Sequence, residues 1–177
     1  MPVHGFADEL GIWAGTGAAN LNTVKRGGLW GPEVQVGLHY QISDFWMVST
    51  SFAASHHFEA EEEVNDEERI IFPADTVIAA SFRLRYLIDI VKYIPYFGLG
   101  PTLYLDVPVV AAEAGQPASS SDANLNLGAS AVLGMDWRYS RYSSVGVFAE
   151  LHAVASDLGR YPVYSVAGFR FVKHFRF

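Results

Sequence analysis

The segment from Tyr161 to Phe177, Y-P-V-Y-S-V-A-G-F-R-F-V-K-H-F-R-F, constrains the fold more than any other part of the chain. From Val163 onward the odd positions are Val163, Ser165, Ala167, Phe169, Phe171, Lys173, Phe175 and Phe177. The even positions include Arg170, His174 and Arg176, interrupted by Val166, Gly168 and Val172. A period of two is that of an extended strand, whose side chains point alternately to opposite faces. One face is aromatic and the other is charged or small. A strand of this kind needs partners, and the remaining sequence has to supply them.

It supplies seven more. The cleanest is Glu33 to Ile42, where Val34, Val36, Leu38, Tyr40 and Ile42 alternate with Glu33, Gln35, Gly37, His39 and Gln41. Phe6 to Gly17, Phe45 to Phe58, Val77 to Leu87, Tyr96 to Asp106, Ala123 to Met135 and Val145 to Ala155 alternate in the same way. Ser43-Asp44, Asp89 to Tyr93 and Arg138 to Ser144 read as short turns. The other links are longer and polar: Gly17 to Gly28, Glu59 to Ile71, Pro108 to Asp122, and Ser156 to Pro162. Among these, Glu59, Glu61, Glu62, Glu63, Asp66, Glu67 and Glu68 form an acidic loop too highly charged for a core or a bilayer. Eight strands of about ten residues, with short turns at one end and longer loops at the other, predict an eight-stranded antiparallel up-and-down transmembrane β-barrel.

Composition narrows the alternatives. In 177 residues, taken as a single domain, 50% are hydrophobic and only 18% charged, yet no apolar run is long enough for a membrane helix. The net charge of −7, with no basic stripe, excludes nucleic acid as a partner. No cysteine is present, so disulfides, thiolate chemistry and cysteine-ligated metals are excluded. Met1-Pro2-Val3-His4 lacks the basic start and apolar core of a secretory signal, so a barrel reading expects the export signal to have been removed. Periodicity alone leaves open which register faces inward. A soluble lipocalin-like barrel binding a hydrophobic ligand would put the apolar register inside. Against it, the polar faces are poor in Lys and Glu for a soluble surface. Aromatics also gather near the short-turn ends: Tyr40, Phe45, Trp46, Tyr86, Tyr93, Tyr96, Trp137, Tyr139, Tyr142, Phe175 and Phe177.

With these strands and G-F-R-F-V-K-H-F-R-F at Gly168 to Phe177, the chain resembles the small eight-stranded outer-membrane barrels of the OmpA/OmpX-like superfamily. The resemblance is one of architecture and covers nearly the whole sequence. It implies both termini in the periplasm, long loops at the cell surface and no cofactor. It also implies outer-membrane lipid and lipopolysaccharide as surroundings, and other envelope proteins as partners. The barrel-assembly machinery would read a signal formed by Gly168, Phe169, Phe171, Phe175 and Phe177. Pro101 departs from the pattern: a strand with two neighbours should not lose an amide donor, so a bulge or a missing ladder bond is expected there.

Some barrels of this size modify lipid A with an outward-facing histidine and serine two residues apart. Here Val154 stands where that serine would follow His152, and His152 lies on the inward register. The six histidines show no metal spacing, and His56 and His57 point to opposite faces of one strand. The reading is therefore of a non-enzymatic barrel with a structural or interaction role. Its candidate site is the lumen, where the inward register gathers Arg83, Arg85, Glu150, His152 and Arg170. Counting evenly from a turn near Gly159 sets Glu150 opposite Gly168, with Arg170 as its diagonal neighbour. Glu150 is the only acid this reading places near mid-depth, and it is expected to anchor the arginines.

Overall fold

The computed structural model describes residues 9–23, 26–58, 60–65, 68–72, 75–88, 92–108, 124–155 and 163–176. Eight strands close into an antiparallel barrel: β1 (Glu9–Thr23), β2 (Arg26–Gln41), β3 (Trp46–His57), β6 (Asp75–Leu87), β7 (Tyr93–Pro108), β8 (Asn124–Ser140), β9 (Ser143–Val154) and β10 (Val163–Arg176). Each strand pairs with its sequence neighbours in the barrel, and β10 returns to β1. Between β3 and β6, β4 (Ala60–Asn65) and β5 (Glu68–Phe72) form a separate two-stranded hairpin.

The ladder is sheared. Following partners from Glu9 leads through Gln41, Met47, Arg85, Gly98, Val132, Glu150 and Val166, then back to β1 at Ala19. The circuit closes ten residues further up β1, and such a stagger requires strands tilted against the barrel axis. Every residue on this path is buried.

The two faces answer the question that periodicity leaves open. Leu99, Leu125, Leu133 and Phe169 are 64%, 71%, 65% and 69% exposed, while Arg83, Arg85 and Glu150 are 1%, 1% and 5% exposed. Apolar side chains outside and charged ones inside reverse the soluble pattern and remove the lipocalin-like reading. A bilayer is the solvent that suits the outer face. Most of the aromatics at the short-turn end do point outward, from Tyr40, Phe45 and Trp46 to Tyr142 and Phe175. Tyr96 does not, being 1% exposed within the lumen. Phe177 lies outside the described residues.

Several boundaries differ from the sequence reading. Gly17 to Gly28 is mostly a continuation of β1 and β2, with Asn20 paired to Trp30 and Leu21 to Leu29, and the register shifting between Leu21 and Thr23. Glycine and asparagine suggested a turn, but Ala19, Leu21 and Leu29 bury inward with Tyr164 and extend the packed interior past the expected strand end. The acidic stretch contributes Glu61, Glu62, Glu63 and Glu68 to the β4–β5 hairpin, so it is not only a loop. Glu59, Asp66 and Glu67 lie outside the described residues, as do residues 109–122 of the link expected over Pro108 to Asp122, and Gly159. The turn expected over Arg138 to Ser144 narrows to Arg141 and Tyr142.

Pro101 keeps its partner Ala129 on β8, but the β6–β7 ladder skips from Ser81↔Thr102 to Leu84↔Leu99. The register is the same on both sides of that gap. Proline has therefore removed rungs without forcing a bulge.

Candidate functional site in the barrel lumen

Alternation on β6 and β9 carries Arg83 and Glu150 inward from opposite walls, and a barrel of eight strands is narrow enough for them to meet. The Arg83 guanidinium grips the Glu150 carboxylate with both ends, Nη1 donating to Oε1 at 2.8 Å and Nη2 to Oε2 at 2.6 Å. Its Nε donates to Ser130 Oγ at 2.8 Å, and Nη2 also reaches Ser81 Oγ at 3.1 Å. Thr102 joins the two serines, lying 2.9 Å from Ser81 Oγ and donating to Ser130 Oγ at 2.8 Å. On the other side, His152 bridges Glu150 Oε2 at 3.2 Å and the Tyr104 hydroxyl at 3.0 Å. Bidentate charge-assisted bonds are among the strongest available to side chains, and here both partners are buried.

The other two arginines are not part of that cluster. β9 and β10 pair Glu150 with Val166 and Gly168 with Phe148, two residues away from the evenly counted register. Arg170 hydrogen-bonds Asp136 in place of Glu150, Nε to Oδ1 at 2.8 Å and Nη2 to Oδ2 at 2.5 Å. Asp136 is thus a second buried acid in the lumen, four residues nearer the short-turn end of β8 than Val132, the partner of Glu150. Arg85 hydrogen-bonds neither acid; its Nε and Nη1 are buried without a hydrogen-bond partner. Two rings hold it instead. The Arg85 guanidinium carbon is 5.2 Å from the Tyr96 ring centroid and 5.8 Å from that of Trp13, and Arg170 shares both rings at 4.2 and 5.6 Å.

The rings fit because small residues lie beneath them. A Cβ on Gly134 would collide with the Tyr96 ring, and one on Gly37 with the ring of Trp13. Two internal cavities among the described residues are small. One, lined by residues including His39, Arg170 and His174, and another, including Tyr104, Val154 and Tyr164, measure about 20 Å³ each, room for roughly one water apiece.

Two further groups escaped the sequence reading. At the short-turn rim Glu9 accepts from Arg138 at 2.6 Å and Arg176 at 3.0 Å, and lies 2.6 Å from His174 Nδ1. Higher in the lumen Glu33 accepts from Gln35 Nε2, while its Oε2 has no hydrogen-bond partner. The missed acids were findable. Glu9 continues the inward odd register of Gly11 and Trp13, and Asp136 continues the even register of Asn124 to Gly134. Among the residues expected to form an assembly signal, Phe169, Phe171 and Phe175 face outward on β10, and Gly168 packs against Thr16, Gly17 and Phe148.

No family model matches this chain, and no curated protein matches it either. Its backbone does match solved structures. Neisserial surface protein A superimposes with a TM-score of 0.71 at 12% identity, covering 95% of this chain and 97% of that one. OprG from Pseudomonas aeruginosa gives 0.69 at 14% identity, with 97% of each chain covered. Ail, the attachment invasion locus protein of Yersinia pestis, solved with the heparin analogue sucrose octasulfate, gives 0.63 at 14% identity, covering 96% of this chain and 99% of that one. The inverted faces, the sheared eight-strand ladder and these superpositions together give the chain the fold of the small outer-membrane β-barrels.

Proposed function

We propose that this protein is a bacterial outer-membrane barrel with a structural or interaction role, as envelope scaffold, surface contact or subunit of an envelope assembly, and that polar side chains plug its lumen. The observation that carries the reading is the Arg83–Glu150 pair, which spans the interior with its hydroxyl and histidine partners satisfied. Such a network is expensive to open, because a lone charge in that setting costs several kcal/mol. In planar bilayers the protein should give no steady, large-conductance pore. A stable porin-like step in the wild-type protein would refute the plug.

In this reading the termini and the short turns face the periplasm, and the β4–β5 hairpin with the other long links faces the cell exterior. Lipopolysaccharide surrounds the outer half, and the barrel-assembly machinery engages β10. An epitope inserted at Glu63 should be labelled on intact cells and one at Arg141 should not; the reverse result inverts the orientation. Ail was crystallised with a sulfated sugar. The run from Glu59 to Glu68 gives the present chain seven acids between β3 and β6, so a sulfated polyanion is disfavoured there and a surface contact would favour a basic partner.

One observation favours a second, lipid-modifying reading. His56 Nδ1 lies 3.0 Å from Thr76 Oγ1 on the outer face, a base within reach of a hydroxyl. The two residues are also direct cross-strand partners, which explains the contact without chemistry. Release of fatty acid from purified lipid A by the wild type, abolished in Thr76→Val, would establish the catalytic reading.

A further inference from the structure

We infer that the outer wall formed by β9, β10 and β1 carries a binding site for an anionic glycerophospholipid, with Lys173 receiving the phosphate and the groove beside it receiving an acyl chain. The inference rests on the bilayer-embedded reading above. Among the side chains described on the outward register of the eight barrel strands, Lys173 is the one that carries a formal charge. It is not at mid-depth. Its partners are Ile12 on β1 and Ser143, the first residue of β9 after the Arg141–Tyr142 turn, so it sits at the height of the short-turn rim. Its Nζ lies 5.7 Å from the Tyr142 ring centroid, which keeps the ammonium against the wall and close to the headgroup level.

Two surface hollows meet along these strands. The first, of about 460 Å³, is lined by residues including Leu10, Ile12, Tyr142, Lys173 and Phe175. The second, of about 750 Å³, continues along the same strands from Ala14 and Phe171. Its floor is Ala14, Gly15, Thr16 and Gly146, and Trp137, Phe169 and Phe171 stand beside it. On β10 the outward series Phe169, Phe171, Lys173, Phe175 runs through both hollows, as Thr16, Ala14, Ile12, Leu10 does on β1. The result is an elongated apolar trough with Lys173 at its rim-side end, beside Arg176, which is paired to Glu9. That charge arrangement matches a glycerophospholipid whose net charge is negative, and not a zwitterionic one.

The test is native mass spectrometry of the full chain, released from neutral detergent after mixing with dioleoyl phosphatidylglycerol or dioleoyl phosphatidylcholine. Wild type should retain the anionic lipid by roughly fivefold over the zwitterionic one, the factor expected for one lysine beside lipid of net negative charge. Lys173→Gln should erase that preference. Ala14→Trp, which fills the trough with an exposed ring, should reduce retention of both lipids while leaving Lys173 in place. Each variant is first checked for heat-modifiable gel migration, so a failure of the barrel reading is seen separately. Equal retention of the two lipids by wild type, or an undiminished preference in Lys173→Gln, overturns the site. Preferential retention of lipid A, or a dimer in place of a lipid adduct, overturns the assigned occupant.

Discussion

Arg83 and Arg85 stand two residues apart on the same face of β6, equally buried, and meet opposite surroundings. Arg83 has a carboxylate across the lumen and hydroxyls on either side. Arg85 has two aromatic rings, no carboxylate bonded to it, and a second guanidinium sharing those rings. The difference shows that being inward and charged does not define a network. Depth decides, because one rung along a sheared ladder changes which opposite wall a side chain can touch. The Arg83 cluster is closed, each group answering another. The Arg85 region is held by shape and by ring electrostatics, which tolerate a change of partner far better than a bidentate ion pair does.

The largest effect should come from Glu150→Ala. Removing that carboxylate leaves Arg83 buried and unpaired, and unfolding in urea from lipid vesicles should show a loss of about 3–5 kcal/mol. A loss under about 1 kcal/mol would mean that water reaches the cluster and that the contrast with Arg85 is false. Asp136→Ala should come next, at about 2–3 kcal/mol, since Arg170 loses its acid but keeps the faces of Tyr96 and Trp13. Arg85→Met sharpens the comparison from the other side. It removes a cation that has no acid bonded to it, so the barrel should change by less than about 1 kcal/mol in either direction, and a gain in stability is within expectation. If Arg85→Met costs as much as Glu150→Ala, the two regions form one network. Tyr96→Phe should be smallest, within about 0.5 kcal/mol, because the Tyr96 hydroxyl is buried without a hydrogen-bond partner and the ring carries the contact.

The eight strands and the division of each into two faces were legible in the sequence because period-two alternation is a local property. Glu33 to Gln41 or Val145 to Val154 can be assigned without knowing what lies beside them. Depth was not legible in the same way. Placing Glu150 opposite Gly168 assumed a symmetric turn about Gly159, whereas the β9–β10 pairing centres one residue earlier and moves every partner by two. A shift of two preserves the face and changes the rung. Arg170 therefore stayed inward, as read, and exchanged Glu150 for Asp136. The loop expected at Gly17 to Gly28 failed for a related reason. Glycine and asparagine favour turns in isolation, but Ala19, Leu21 and Leu29 have an interior to pack into once the neighbouring strands are present.

The closing of the ladder has a kinetic consequence. Arg176 donates to Glu9 across 167 residues of sequence, and β1 pairs along its length with the last strand of the barrel. Until β10 docks, β1 is an open edge, and so is whichever strand precedes the gap. The rungs that join the two ends thus have nearly the longest contour separation the chain permits, and contacts of that kind slow folding most. The same seam protects the finished molecule, because no strand can peel away without breaking two ladders at once. Slow entry and slow exit are expected together, so the barrel's persistence in a membrane should be set by its unfolding rate more than by its equilibrium stability.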